Sequence, residues 1–573
     1  MKRRSSVGIK DLLSRLFALS CILFLAACNP LWGGPALNNE IPSPSVVSGI
    51  STPTPFQPEG YVPLPTVTAL PISGESTQTP VTPYLWISPA VPDYLRQFAM
   101  VSGLPMAADD ASATVRLDVS PLSDSQSATW IYALVAPFPT ATDSVSLTDI
   151  QNAWAGADAG PFARRPLWMD EPTLAAFSAL WGAPAVGSVQ VAAADQLVDS
   201  AWAERPAWGI VPFEKLEPRW KVLSVDGQSP VHNDFNAASY PLKINFSLQP
   251  AAFPLLPTNR DPDKLTVVAM TGVTALVRAT ADRMESHGVL YPGEEIRTVL
   301  RAADITHISN EVSFMAGCPT PDPFTDSLQF CSDPRYIALL EDVGTDVVEL
   351  TGNHLLDYGP EAALTTLDMY DQRGWLHFGG GRNLQDSLQP ALVVNHGNKL
   401  AFVGCNYAGP PSDWATDALP GSAPCDFDQL SAEIGSLRSA GYLPIMTFQY
   451  EEYYQPEPTD YEQRDFRRMA DAGAVVVSGS QAHVPAAMEF DGISFIHYGL
   501  GNLFFDQMSH LMPDGSVIYD TRNVFVDRHV FYDGRYISTE LLTYIIEDYA
   551  RPRPMTGLER LEFLQKIFSA GGW

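Results

Sequence analysis

Basic residues are scarce in this chain. Lysine and arginine together number 35 against 65 aspartates and glutamates, so the formal net charge of the 573 residues is −30. Such an acidic balance argues against a surface that binds nucleic acid, and against binding of the folded part to anionic lipid. We therefore predict that nucleic acid is not a partner of this protein.

Cysteine is also scarce, and none of the six cysteines lies in a C-x-x-C pair that would indicate a metal site. Two pairs flank proline-rich loops instead: Cys318 with Cys331, and Cys405 with Cys425. Four cysteines allow three connectivities, and local pairing in an oxidising compartment is the simplest. Each such disulfide would stabilise the fold by about 3 kcal/mol.

The apolar run at the start of the chain is too short for a membrane-spanning helix. Leu16–Ala27 follows a basic segment and is about a dozen residues long, which is typical of a secretion signal. It ends in Leu25-Ala26-Ala27-Cys28, which resembles a bacterial lipobox. The resemblance implies that Cys28 is lipidated and that the protein is extracytoplasmic and anchored to the cell membrane. An uncleaved anchor is the alternative.

The length of the chain allows two or three domains. One of them, an α/β accessory domain at 84–250, resembles part of an extracytoplasmic solute-binding protein at Ala207–Phe213 and Leu216–Trp220. The alternative is a domain that only mediates contacts. We predict a signal peptide and lipobox at 1–28, a Pro/Ser/Thr-rich linker at 29–83, an α/β accessory domain at 84–250, a main domain at 265–507 and a C-terminal extension packing on it at 508–573.

Within the main domain, strands alternate with helices, and polar loops follow the strands. The most informative loop lies in Val347–Gly359 (VVELTGNHLLDYG), where a buried strand enters a glycine turn and presents Asn353, His354 and Asp357. An amide that can bind a metal beside an imidazole that can donate a proton indicates a metal-assisted site.

Several segments of the main domain, in this order, resemble the CapA-type poly-γ-glutamate capsule synthesis family. They are ADITHISNEVSF with Asn310 and Glu311, VGTDVVELTGNHLLDYG, WLHFGGGRN, AGAVVVSGSQAHV with His483, and IHYGLGNLFFDQ with Asn502. The resemblance implies an α/β fold of the metallophosphoesterase-like kind, a layered β-sandwich flanked by helices.

The resemblance also implies roles for particular residues. An anionic polymer would need a local cation, and Arg382 beside the glycine turn Gly379–Gly381 is a candidate. The expected site comprises metal ligands at Glu311, Asn353 and His483, catalytic residues at His354 and Asp357, and substrate-binding residues at Arg382 and Asn502.

The chain departs from the family pattern at three positions. Gly272 stands where the family's first strand has an aspartate, and Gln449 and Gln481 stand where it has histidines. Neutral amides are poor zinc ligands, although calcium and magnesium accept them. The sequence leaves open one divalent ion of unknown identity or none, and Glu451 or Glu452 could replace a lost carboxylate.

Two functions follow as expectations. The first is a lipid-anchored extracytoplasmic protein of capsule or cell-envelope polymer biosynthesis, acting as a metal-dependent hydrolase or transferase. The second is a non-catalytic polymer-binding or scaffold protein whose metallophosphoesterase-like site is degenerate. In both, the partners are an anionic envelope polymer, the membrane and membrane-bound synthesis machinery.

Overall fold

The computed structural model describes residues 82–120, 127–157, 160–162 and 165–573. The predicted signal peptide, Cys28 and all but the end of the predicted linker lie outside the described residues. In the part of the chain that is described, no helix is long and apolar enough to cross a membrane.

The first part of the described chain alternates strands and helices round one mixed sheet. Its elements are β1 (Leu85–Ile87), α1 (Asp93–Met100), β2 (Val115–Val119), β3 (Ser127–Pro137), β4 (Ser144–Val145), α2 (Leu147–Trp154), β5 (Leu167–Met169), α3 (Glu171–Trp181), β6 (Val189–Val191), α4 (Leu197–Ala203), β7 (Trp208–Pro212), β8 (Trp220–Val225) and β9 (Lys243–Gln249). The strands lie in the order β1-β2-β9-β3-β7-β5-β6, and β8 pairs with β3 and β4.

The second part continues the alternation and then adds long antiparallel strands. Its first half comprises β10 (Leu265–Thr271), β11 (Val273–Thr274), α5 (Arg278–His287), α6 (Arg297–Arg301), β12 (Ile305–Asn310), α7 (Ile337–Asp342), β13 (Val347–Glu349), α8 (Pro360–Asp371), β14 (Leu376–Phe378), β15 (Gly380–Gly381), α9 (Leu384–Ser387), β16 (Ala391–Asn395) and β17 (Asn398–Asn406). Its second half comprises β18 (Gly421–Ser422), α10 (Phe427–Ser439), β19 (Leu443–Gln449), α11 (Asp460–Ala472), β20 (Val476–Ser478), β21 (Met488–Asp491), β22 (Ser494–His497), β23 (Asn502–Phe504), β24 (His510–Leu511), β25 (Val517–Ile518), β26 (Asn523–Tyr532), β27 (Arg535–Glu547), β28 (Arg551–Pro554) and α12 (Gly557–Ala570).

Two sheets of this second part pack face to face. One has the order β14-β13-β12-β10-β26-β27-β28, and the other has the order β16-β17-β19-β20-β22-β21. Because side chains alternate along a strand, Val268 and Met270 of β10 point into the core shared with Phe402 and Ile445 of the second sheet, whereas Ala269 joins a different core. The predicted layered sandwich is confirmed.

Helices cover both outer faces of the sandwich. On the first sheet, Ile308 and Val348 pack with Leu340 of α7 and Leu367 of α8. On the second sheet, Met446 and Val477 pack with buried apolar residues of α10 and α11, namely Leu430, Ile434, Phe466 and Met469. The fold is therefore α/β in class, with helix, sheet, sheet and helix layers.

The C-terminal segment is part of the sandwich itself. Strand β26 pairs antiparallel with the whole length of β10, from Leu265 opposite Tyr532 to Thr271 opposite Val526. The segment ends in α12, and the buried Leu564 and Ile567 of this helix belong to the core between the sheets. The extension expected at 508–573 therefore completes the first sheet in addition to packing on the domain.

The first part of the chain shares its core with the sandwich. Leu265 and Val267 of β10 and Val530 of β26 lie in the same apolar cluster as the buried residues of β3, β7 and β9. An ion-pair group also joins the two parts, since Arg560 of α12 and Lys221 of β8 both bind the carboxylate of Asp143 at 2.7 Å.

Both predicted disulfides are present. Cys318 is bonded to Cys331, and Cys405 to Cys425. The first closes a loop between β12 and α7, and the second closes the loop that follows β17. Both loops lie at the edge of the sandwich where the site is found.

Candidate functional site

The polar residues of the site follow strand ends in both sheets. Strands β12 and β13 are parallel neighbours, with Ser309 opposite Glu349, so Glu311 and the Asn353-His354 turn leave the same edge. A bridge between Val312 and His354 holds the two segments side by side. In the other sheet β19 and β20 are parallel neighbours, so Gln449 and the Gln481–His483 segment also emerge together.

A buried carboxylate joins the two sheets at this edge. Glu349, at the end of β13, accepts hydrogen bonds from His307 of β12 at 3.1 Å, from Thr351 at 2.6 Å and from Ser480 after β20. Burial by itself raises the pKa of Glu349, but these donors lower it below its ordinary value. The sequence analysis did not single out Glu349, although a lone acid within a β-branched strand was a usable signal.

His354 is oriented by Asp357, and both are held by the first disulfide loop. The Nδ1 of His354 donates to the Asp357 carboxylate at 2.8 Å, and the backbone N–H of Phe330 donates to the same oxygen at 2.7 Å. Burial lowers the pKa of His354, but Asp357 and the charge of Glu311 raise it above its ordinary value overall. An imidazole with this orientation can exchange a proton or bind an anion through Nε2.

His483 lies between an amide and a carboxylate. Its Nδ1 donates to Asn502 Oδ1 at 2.7 Å, and its Nε2 lies 3.4 Å from a carboxylate oxygen of Glu452. Burial lowers the pKa of His483, but Glu452 and the nearby charge of Glu311 raise it to about 9. The hydrogen bond from His483 in turn lowers the pKa of Glu452 to about 2.

The loop that brings Glu452 to His483 is fixed by the helix that follows it. Thr459 and Glu462 form a capping box at the start of α11, with the Glu462 carboxylate accepting from the Thr459 N–H at 2.7 Å. The helix ends at Gly473, whose φ of 118° gives the left-handed cap. The sequence did not decide whether Glu451 or Glu452 could replace the lost carboxylate. In the structure, Glu452 is the one that lies beside His483.

Two glycines permit the close packing of this edge. A Cβ at Gly352 would lie 2.7 Å from the Cα of Glu311, so glycine lets the Asn353-His354 turn approach Glu311. A Cβ at Gly272 would lie only 1.8 Å from the carbonyl oxygen of Gly501. With this backbone no carboxylate can extend from position 272, where the family pattern has an aspartate.

Several buried polar atoms at the same edge have no hydrogen-bond partner among the described residues. They include Oε1 of Glu311, Oδ1 of Asn353 and both side-chain polar atoms of Gln449 and of Gln481. Gln449, Gln481 and Glu311 are at most 2% exposed. Leaving a buried polar group unpaired costs about 1–3 kcal/mol, so these atoms need a partner that the described residues do not supply.

The donor set does not fit the divalent ion expected at Glu311, Asn353 and His483. Both ring nitrogens of His483 face hydrogen-bond partners, Asn502 at Nδ1 and Glu452 at Nε2. In the described residues, no group of three or more His, Cys, Asp or Glu side chains could hold a metal ion. We therefore derive no step through a metal, and the ligands at Glu311, Asn353 and His483 stay a prediction.

The two residues expected to bind substrate are engaged elsewhere. Arg382 pairs with Asp368 at 2.6 Å and Asp371 at 2.7 Å, both on α8, so its charge is neutralised locally. Asn502 accepts from His483 and donates to the Thr521 carbonyl at 3.0 Å, so it positions the histidine. These contacts argue against a direct role for either residue in binding substrate.

The second disulfide loop adds an acid that sequence analysis missed. Burial raises the pKa of Asp413 to about 6, and the charge of Asp357 contributes in the same direction. His354 opposes this effect, which places all three groups within electrostatic range. Asp413 is near the site only because the loop folds back between Cys405 and Cys425, a long-range effect without a local sequence signal.

The layered sandwich with a polar edge at its strand ends is the arrangement that the sequence resemblance led us to expect. Residues 267–507 match the model of the family described as bacterial capsule synthesis protein PGA_cap. This segment of the chain is therefore similar to that CapA-type family.

Two curated relatives are similar over the same part. The capsule biosynthesis protein CapA of Bacillus anthracis is 23% identical over 278 residues, which cover 46% of this chain and 67% of the relative. The PGA biosynthesis protein CapA of Bacillus subtilis is 23% identical over 215 residues, covering 37% of this chain and 56% of the relative. The chain thus spans about half to two thirds of the length of these relatives.

Among solved structures, a 5′-nucleotidase precursor from Thermus thermophilus is 15% identical at a TM-score of 0.28, with 53% of this chain and 59% of that chain covered.

The close approach at Gly272 predicts a large loss of stability on substitution. Replacing Gly272 with alanine should lower the free energy of unfolding by about 2 kcal/mol or more, because the Cβ would overlap the Gly501 carbonyl. Gly435→Ala in α10 is the control: its Cβ would meet nothing closer than 4.0 Å, so a gain of up to about 1 kcal/mol is expected. Urea unfolding of both variants tests this prediction. An unchanged midpoint for Gly272→Ala would contradict the close packing of Gly272 against Gly501.

The ion pair of the site predicts a pH-dependent difference between two variants. Replacing Glu452 with glutamine should lower the pKa of His483 from about 9 towards its ordinary 6.5, measured by histidine NMR on EDTA-treated protein. Glu451→Gln, whose carboxylate contacts only Tyr453, should leave that pKa unchanged.

The sign of the stability effect follows from the raised pKa of His483. The stabilisation by Glu452 is fully present below about pH 6.5 and is lost as the pH rises through about 9. The wild type should therefore exceed Glu452→Gln in melting temperature at pH 6 and match it above pH 9. A difference in melting temperature that stays constant across this pH range would exclude the ion pair between Glu452 and His483.

Proposed function

We propose that this protein takes part in the biosynthesis of a capsule or cell-envelope polymer of the poly-γ-glutamate kind, and that its strand-end site binds the polymer without a metal ion. The similarity of residues 267–507 to the capsule synthesis family, and the capsule and PGA biosynthesis roles in the names of the Bacillus relatives, support the choice of polymer. The protein acts outside the cytoplasm, attached to the membrane through lipid on Cys28, beside membrane-bound synthesis machinery.

The observation that supports binding best is the group of unpartnered polar atoms. Gln449 and Gln481 each offer a buried amide donor and a buried amide acceptor, and Asn353 adds an acceptor. An amide-linked polymer presents the complementary N–H and C=O groups along its backbone. Its carboxylates find positive charge at His483, whose pKa of about 9 keeps it cationic.

The same residues explain why binding is favoured over metal-assisted hydrolysis. Position 272 has no room for a carboxylate, and the amides at 449 and 481 are poor ligands for zinc. The imidazole of His483, whose pKa is raised to about 9, and the neutral amides beside it suit an anion better than a dication. The site thus fits the second of the functions expected from sequence.

Polymer binding can be tested directly on the purified protein. The EDTA-treated protein should contain no stoichiometric divalent ion, should bind poly-γ-glutamate as well as before treatment, and should gain no thermal stability from manganese, zinc, calcium or magnesium. Gln481→Ala should weaken binding about fivefold, the value of one good hydrogen bond. Gln389→Ala, at an exposed position, is the control and should bind normally.

Two results would contradict this proposal. Stoichiometric metal whose removal abolishes binding would restore the metalloenzyme expected from the family. Equal binding by wild type, Gln481→Ala and Gln389→Ala would place the polymer elsewhere on the protein.

A metal-free hydrolase or transferase is the second candidate, favoured by the hydrogen bond between His354 and Asp357. In that case His354 would protonate the leaving group of the polymer, and His354→Ala would abolish turnover while the melting temperature stays within a few degrees. His287→Ala, at an exposed histidine, is the matched control. Turnover is measured as the shortening of poly-γ-glutamate by gel filtration. Unchanged turnover in His354→Ala would show that this residue takes no part in the reaction.

A further inference from the structure

Each histidine of the site rests against a phenylalanine from a different segment. The ring of Phe330, beside Cys331 in the first disulfide loop, lies 4.7 Å from the ring of His354. The ring of Phe505, just after β23, stacks on His483 at 5.2 Å with 25° between the planes. The positions of the two imidazoles therefore depend on where these two rings are held.

One guanidinium lies against both rings. The Cζ of Arg278 is 5.0 Å from the ring centroid of Phe330 and 5.0 Å from that of Phe505. His354, Phe330, Arg278, Phe505 and His483 thus form one continuous series of contacts across the site. A planar guanidinium can contact an aromatic face on each side, which an ammonium does less well.

Arg278 is fixed at both its side chain and its backbone. Its Nη2 donates to Asp506 at 2.6 Å, and the other carboxylate oxygen of Asp506 accepts from the Ala279 N–H at 2.9 Å. The φ of Arg278 is +44°, an uncommon conformation for a residue other than glycine. Backbone strain of this kind persists where the surrounding structure demands it and clusters at functional sites.

We propose that Arg278 is a positioning residue of the site: by holding Phe330 and Phe505, it sets the separation and orientation of His354 and His483. Arg278 need not touch the ligand for this role. Only the predicted effect of Arg278 on polymer binding rests on the proposed function. The contacts themselves exist without ligand. The first disulfide loop contributes to this positioning, because it carries Phe330, one of the two rings that Arg278 contacts.

The first test compares three variants by NMR of labelled histidine side chains without polymer. Arg278→Ala should displace the ring signals of both His354 and His483, and Arg278→Lys should restore them only in part, because lysine keeps the charge but not the planar contact. Arg283→Ala is the matched control on the same helix, since Arg283 pairs with Asp548 and Asp282 away from the histidines. It should leave both signals in place.

A second variant covers the case in which Arg278→Ala does not fold. Phe330→Leu removes the ring next to His354, and if Arg278 couples the two sides it should also displace the signal of His483. An unmoved His483 signal, or full restoration of both signals by Arg278→Lys, would overturn the inference.

Polymer binding forms a separate arm of the test. Arg278→Ala should weaken binding of poly-γ-glutamate about threefold to tenfold, whereas Arg283→Ala should bind as the wild type does. If the wild type binds no polymer while the histidine signals still move, the proposed function fails and the positioning role stands. If the wild type binds polymer and the signals do not move, the positioning role fails alone.

Discussion

The Glu349 carboxylate joins the two sheets of the sandwich at the edge where all the site residues lie. It accepts from His307 within its own sheet and from Ser480 at the end of the opposite sheet. A buried charge is tolerated only when such partners are present, so the two strand ends cannot separate without a cost of several kcal/mol. This fixed edge sets where Asn353, His354 and His483 meet.

The same edge explains why the site holds amides and imidazoles. At Gly272 the chain approaches Gly501 so closely that no side chain fits, and the backbone pairing of β11 with β23 depends on that approach. Gln449 and Gln481 give this edge buried amide groups at the positions where the sequence resemblance implies histidines.

Local features of this chain could be predicted from sequence, and long-range ones could not. The turn at Asn353 and His354 and both disulfides each depend on residues close together in the chain, and the structure has them where expected. The pairing of β26 with β10, by contrast, joins segments more than 250 residues apart. The engagement of Arg382 by Asp368 and Asp371 depends likewise on how α8 packs, which the residues next to Arg382 in the chain do not indicate.

The anionic polymer that we propose as the ligand would have to approach a protein whose formal net charge is −30. At physiological salt the Debye length is about 8 Å, so most of the surface charge is screened beyond the first layer of water. Charges inside the site are screened far less, and there the charge of His483 faces Glu452 at 3.4 Å, as that of Arg278 faces Asp506. For the proposed polymer we therefore expect attraction at short range to come from hydrogen bonds with the buried amides and from His483 where a carboxylate of the polymer competes with Glu452.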